Sequence, residues 1–231
     1  MSPQRHFHEE LDRLKSLLVR MAGLAEESVR LAVEALLERS QEKARRVIED
    51  DRAIDRIELE IDDLAIHLLA LQQPMARDLR FITMAMKISN DLERVGDHAV
   101  NIARDVEQLL AMPIFPVLPE IEEMTRLAIA MLRDALDAFV RGDNAAARAI
   151  IHRDDRVDDL HKNVFRILLT HMMEDPRKIS AGMDLFLVSR NLERIADLAT
   201  NIAEDIVFMV EGRSIKHPAE QPGPVRPNGL A

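Results

Sequence analysis

At 231 residues and 47% hydrophobic content the chain holds ample apolar material for one large or two small domains, yet only 3% of it is aromatic, with no Trp or Tyr, so Leu, Ile, Val, Met and Ala must fill the core. A formal net charge of −10, from 31 Lys+Arg against 41 Asp+Glu, argues against nucleic acid as the partner and suits basic protein patches or metal cations. The complete lack of Cys excludes disulfides, thiolate metal sites and cysteine nucleophiles.

Met1 to Asp12 is polar and charged, without the apolar segment of a signal peptide, and no run approaches the roughly 20 apolar residues of a membrane span. A cytoplasmic location is therefore expected. Leu11, Leu14, Leu18, Met21, Ala25, Val29, Ala32 and Leu36 recur at three- and four-residue steps and predict a first helix over about 5–39. Ser40-Gln-Glu-Lys reads as a short turn, and a second helix carries Val47, Ile54, Ile57, Ile61, Leu64, Leu68 and Leu71. Pro74 punctuates before a third helix, about 75–110, built on Ile88, Leu92, Val95, Ala99, Ile102 and Val106. Three prolines between Met112 and Pro119 bar helix there and mark a boundary. Beyond it the order repeats: a helix from Pro119 to Arg141, a stop and N-cap at Gly142-Asp143, a helix to Met173, a break at Glu174-Asp-Pro176, and a last helix ending near Gly212.

The expected fold is all-α, two tandem three-helix bundles made of six long helices. Residues 1–112 form the first bundle, 113–212 the second, and the Pro-rich segment 213–231 a flexible tail. The tandem reading rests on an internal repeat. The segment Ser89–Asp105 returns as Ser189–Asp205, with ten of 17 positions identical. Besides the apolar seam, the repeat keeps Glu93/Glu193, Asp97/Asp197, Asn101/Asn201 and Asp105/Asp205 at four-residue intervals. At about 100° per residue, Glu93, Asp97 and Asn101 lie opposite the seam, while Asp105 lies about 100° from it.

The second helix of each half adds a further pair, Asp51/Asp55 and Asp154/Asp158. Like charges four residues apart cost about 0.2–0.5 kcal/mol per pair on a helix, so repeating this register twice calls for a compensating cation. Carboxylate and amide oxygens suit hard or borderline metals, and His161, standing where Glu58 stands in the first half, offers an imidazole to the second set. The competing reading is a solvated acidic face balanced by Arg52, Arg56, Arg94, Arg156 and Arg194. A third reading is a carboxylate-bridged metal enzyme, a hydrolase or oxidase, although no phosphate-binding Gly-rich loop, Ser/His/Asp set or His-Glu-x-x-His motif supports catalysis. His67, His98, His152 and His171 share no ligand spacing and read as packing or surface residues.

Asp51-x-x-Ile-Asp55-x-x-Glu58, Gln73-Pro-Met-Ala-Arg-Asp-Leu-Arg80 and Leu92-Glu-Arg-Val-Gly-Asp-His-Ala-Val-Asn-Ile-Ala103 together resemble the PhoU family of phosphate-signalling regulators, over about 5–212. The resemblance implies a non-enzymatic cytoplasmic accessory protein of a phosphate ABC transporter. Such a protein connects the transporter ATPase subunit to a sensor histidine kinase and represses phosphate-starvation genes when phosphate is plentiful. Any membrane association would run through protein partners. The resemblance also implies multinuclear metal clusters, with iron, zinc, manganese, nickel and magnesium as candidate ions. Asp51, Asp55, Glu93 and Asp97 would build one site and Asp154, Asp158, Glu193 and Asp197 the other, extended by Asn101, Asp105, Asn201 and Asp205. The second half departs from Gln73-Pro-Met-Ala-Arg-Asp-Leu-Arg80, reading Asp175-Pro-Arg-Lys-Ile-Ser-Ala-Gly182. Broad amphipathic faces predict a homodimer.

Overall fold

The computed structural model describes residues 3–72, 74–116, 118–213 and 215, so the expected tail at 213–231 lies almost wholly outside the described residues. The first half comprises α1 (Pro3–Glu38), α2 (Gln41–Asp50), α3 (Arg52–Gln72) and α4 (Ala76–Leu110). The second comprises α5 (Pro119–Arg141), α6 (Asn144–Ile151), α7 (Asp154–Glu174), a 3-10 turn (Pro176–Lys178) and α8 (Ile179–Glu211). Six of these helices are long, and they form two clusters of three: α1, α3 and α4, then α5, α7 and α8.

The boundaries have local causes. Ser40 Oγ caps α2 by accepting from the Lys43 amide, and Asp143 caps α6 by accepting from the Ala146 amide. Gly142, at φ 65°, ends α5 in the left-handed conformation that glycine adopts without penalty. Its counterpart in the first half is Arg39, at φ 51°, the single non-glycine residue with positive φ among the described residues. A tertiary contact accounts for this: Arg39 Nη2 lies 3.2, 3.3 and 3.4 Å from the carbonyl oxygens of Leu109, Leu110 and Met112, covering the open C-terminus of α4.

The second helix of each half is interrupted where apolar spacing predicts continuity. The joints fall at Asp51, between α2 and α3, and at His152-Arg153, between α6 and α7. At the first joint the Ile54 amide bonds to the Asp51 carbonyl at 2.8 Å, a tight turn over Asp51–Ile54 that follows the charged run Glu49-Asp-Asp-Arg52.

The seam residues Leu14, Leu18, Ile61, Ile88, Leu92, Val95 and Ala99 and their repeat mates Leu192, Ile195 and Ala199 are fully buried. Burial of each large one stabilises by about 1.5–3 kcal/mol. Apolar spacing assigns α4 one buried direction, but the structure gives it two. It packs on α1 and α3 and also, just as extensively, along α8. The two helices run antiparallel, since Arg80 reaches Met209, His98 reaches Asn191 and Asp105 senses Asp184. This pairing joins the halves and sets where the acidic ladders emerge.

Candidate metal centres

In the first half α3 and α4 are also antiparallel, which brings Asp51, Asp55 and Glu58 beside Glu93 and Asp97. Two contacts fix the register. The Asn90 side-chain amide donates to Glu58 Oε1 at 3.5 Å, and Asp51 Oδ1 lies 3.0 Å from where a β-carbon on Gly96 would sit. Partial burial pushes the Asp51 carboxyl up to about 6, with the charges of Asp55 and Asp97 adding to the effect. Burial, with Asp97, Glu58, Asp55 and Asp51 around it, raises Glu93 to about 7. Glu58 is raised for the same first reason. Five carboxyl groups thus form one electrostatic unit. Glu58 belongs to it although the sequence reading did not place it there; its position three residues beyond Asp55, facing His161 in the repeat, is the available signal.

The arginines that would neutralise a merely solvated face are mostly engaged elsewhere. Arg94 pairs with Asp91 at 3.4 Å, Arg156 with Glu123 at 2.8 Å, and Arg56 donates to the Arg52 carbonyl. Among the described residues no Lys or Arg reaches ion-pair distance of Asp51, Asp55, Glu93 or Asp97.

The second set is built alike and balanced differently. Asp154, the first residue of α7, is pushed up to about 6 by burial and then by Asp197, Asp158 and Glu193. Glu193 is raised too, again chiefly by burial. Here Arg194 bridges the ladder, 3.5 Å from Glu193 Oε2 and 2.8 Å from Asp197 Oδ2, and Lys162 stands 3.9 Å from Asp158. His161 completes the group. Its Nδ1 is 3.0 Å from Ser189 Oγ, and that hydroxyl spends its proton on the Phe186 carbonyl at 2.8 Å. The imidazole must therefore donate from Nδ1, leaving the Nε2 lone pair free for a metal. Burial lowers its proton affinity below that of a free imidazole.

Both donor sets fit metal ions by type: oxygens alone in the first, oxygens with one imidazole nitrogen in the second. Among the described residues no three carboxylate or imidazole groups converge into a coordination polyhedron. Asn101 is exposed one turn beyond Asp97, and Asn201 is half-buried beyond Asp197. Asp105 and Asp205 depart from the outward face. Asp105 is half-buried against α8, where burial and Asp184 raise its carboxyl to about 7, and Asp205 is buried at 4% exposure. The second buried face of α4 and α8 explains both.

Two tandem helical bundles, each carrying an acidic cluster across the faces of its last two long helices, define an all-helical protein with no assembled catalytic constellation among the described residues. The PhoU domain model matches the chain twice, at residues 18–106 and 121–206. The chain is 41% identical over 212 residues to the phosphate-specific transport system accessory protein PhoU homolog of Zymomonas mobilis, covering 90% of this chain and 88% of that one. It is 42% identical to the homolog of Caulobacter vibrioides, covering 91% and 92%. The crystal structure of PhoU from Pseudomonas aeruginosa superposes with a TM-score of 0.85 at 39% identity, covering 90% of this chain and all of that one. The phosphate transport system regulatory protein PhoU from Streptococcus pneumoniae gives 0.84 at 31% identity, covering 90% and 99%. The chain belongs to the PhoU family, and its role is phosphate-regulatory and non-enzymatic.

Proposed function

We propose that this protein works in the cytoplasm as a homodimer that connects the ATPase subunit of a phosphate ABC transporter to a sensor histidine kinase. It would hold phosphate-starvation genes repressed while phosphate is plentiful. Similarity over nine-tenths of the chain to transport-system accessory proteins carries this reading. No helix among the described residues is long and apolar enough to cross a membrane, so contact with the transporter would run through protein surfaces. The mechanism is binding linkage: each partner changes the affinity for the other by favouring one state of the adaptor, with no bond made or broken.

Each acidic cluster would hold a multinuclear metal group, and the first is the stronger candidate because five carboxylates stand there without an ion-paired cation. Metal would supply charge neutralisation and cross-link α3 to α4 and α7 to α8. For the second cluster Arg194 and Lys162 favour a different reading, an acidic face neutralised by the protein itself.

Deletion of the gene is expected to leave a phosphate-starvation reporter active in high phosphate, and the transporter ATPase and the kinase are expected in pull-downs from phosphate-replete cells. A reporter that stays repressed in a clean deletion would sink the regulatory reading. Light scattering that gives monomer mass across a wide concentration range would rule out the homodimer.

A further inference from the structure

A cavity of about 560 Å³ opens at the end of the molecule opposite the α1–α2 turn, between the beginnings of α1 and α4 and the ends of α5 and α8. Its wall carries Lys15, Arg77, Arg80 and Arg141, with His8, against the single carboxylate Asp78. In a chain of net charge −10 this is a local inversion of sign. Arg77, Asp78 and Arg80 belong to the segment Gln73–Arg80, which the acidic clusters do not use.

The cations are not consumed by the fold. Arg80 spends its Nε on the Met209 carbonyl at 3.1 Å, and Lys15 stands 3.3 Å from Asp12. Arg77 and Arg141 are exposed and pair with no carboxylate among the described residues. The N-terminus of α4 adds to the field, because its N-cap, Met75, offers no side-chain acceptor to the first-turn amides. The apolar floor is already packed: Phe81 and Phe139 stack at 5.1 Å and Lys15 covers Phe81 at 5.5 Å.

The repeat supplies an internal control. The matching place in the other half lies between the ends of α1 and α4 and the start of α8. There the interdomain stretch inserts Phe115, which is 6% exposed, and Arg39 is spent on three carbonyls. In the register of the α4–α8 repeat the positions matching Arg77, Asp78 and Arg80 are Arg177, Lys178 and Ser180; Arg177 is paired with Asp175 at 2.9 Å, and Lys178 lies over the Phe115 ring at 6.0 Å. One end of the pseudo-symmetric body thus keeps a smaller, mostly apolar cavity of about 260 Å³ with its neighbouring cations engaged, and the other holds the larger, basic one. Residues 213–231 are a poor occupant for it, since Arg213, Lys216 and Arg226 outnumber Glu220.

We propose that this cavity is a binding site for a small anion bearing linked phosphoryl groups. Three guanidinium groups around a volume of this size fit several oxyanions on one compact molecule, because each planar fork pairs with phosphate oxygens bidentately. The same phosphoanhydride chemistry occurs in inorganic tripolyphosphate and in nucleoside triphosphates. The site is separate from the acidic clusters and does not depend on their metal content.

Calorimetric titration of the full chain, at physiological salt and without divalent cations, tests this with tripolyphosphate, ATP, orthophosphate and a poly-glutamate peptide. Tripolyphosphate or ATP should bind saturably, at least about tenfold tighter than orthophosphate, and the paired substitution Arg77→Gln/Arg141→Gln should weaken binding about tenfold or more. Equal affinity for the first two marks the phosphate chain as the determinant, and a preference for ATP marks the nucleoside. Both results support the site. Glu93→Gln/Asp97→Asn should leave binding intact, which separates this site from the metal reading. The proposal is overturned by no saturable binding, by affinity unchanged in the arginine variant while its melting temperature is also unchanged, or by tighter binding of poly-glutamate.

Discussion

Asp51 rests its Oδ1 3.0 Å from the point that a β-carbon on Gly96 would occupy, while Ile54 Cδ1 lies 2.9 Å from the same point. The glycine lets the α2–α3 joint close onto α4 and bring Asp51 among the other carboxylates. The repeat has Ala196 at this position.

Gly96→Ala should therefore act on geometry more than on helix propensity. Alanine gains about 0.5–1 kcal/mol within a helix, but crowding a packed Ile54 costs about 1–3 kcal/mol. A modest fall in melting temperature is expected, together with reduced metal in the first cluster by elemental analysis. Ala196→Gly should cost the propensity term and the loss of one buried methyl, and leave metal content unchanged. Equal metal content in Gly96→Ala and wild type would show that Asp51 is not a ligand.

The two clusters should respond differently to truncation. Glu93→Ala/Asp97→Ala removes like charges that have no ion-paired cation, so the variant should be slightly more stable than wild type when both are metal-free, and the proposed first cluster should then take up no metal. Glu193→Ala/Asp197→Ala strands Arg194, so no gain is expected there. Thermal melts of metal-free wild type and both variants decide the matter; a gain in the second pair matching that in the first would contradict the asymmetry.

Stability of the metal-free protein should fall as pH rises from about 4 to about 7. Asp51 and Asp154, near 6, and Glu93, near 7, hold protons in the folded state that the unfolded chain has already released in this range, so the folded state binds more protons and the slope is negative. These carboxyls also make protons compete with metal from about pH 7 downward, well above the pH near 4 at which unperturbed carboxylates would release it. Denaturant melts at pH 5.5 and 7.5, with and without added metal, read both effects. A metal-free protein that is more stable at pH 7.5 would contradict the burial of these groups.

Arg39 separates backbone strain from side-chain capping. Arg39→Ala keeps the left-handed backbone and loses the contacts to Leu109, Leu110 and Met112, whereas Arg39→Gly loses the contacts but relieves the strain. The glycine variant should be the more stable of the two by about 1 kcal/mol. Equal melting temperatures would mean that the turn is not strained.

Much of the architecture was legible locally. Helix positions followed from apolar steps of three and four, the stops from Pro74, Gly142 and Pro176, and the tandem organisation from the repeat of Ser89–Asp105, because helical periodicity and turn chemistry act over a few residues. The carboxylate pairs were legible for the same reason, as four-residue spacing places them on one side of a helix whatever surrounds it. The joints at Asp51 and Arg153 were not, since apolar spacing passes through them without a change of phase.

What only the tertiary structure decided is which faces meet. The antiparallel contact of α4 with α8 draws Asp105 and Asp205 off the outward face and gathers Arg77, Arg80 and Arg141 around one cavity from segments far apart in the chain. Arg94 and Arg194 occupy one place in the repeat yet pair differently for a local reason: three residues before them stand Asp91 in the first half and Asn191 in the second. Which segments meet depends on packing across the whole body, which no local periodicity encodes. The repeat thus determined two like scaffolds, local substitutions such as Asp91 against Asn191 made the acidic clusters unlike, and packing made the two ends of the molecule unlike.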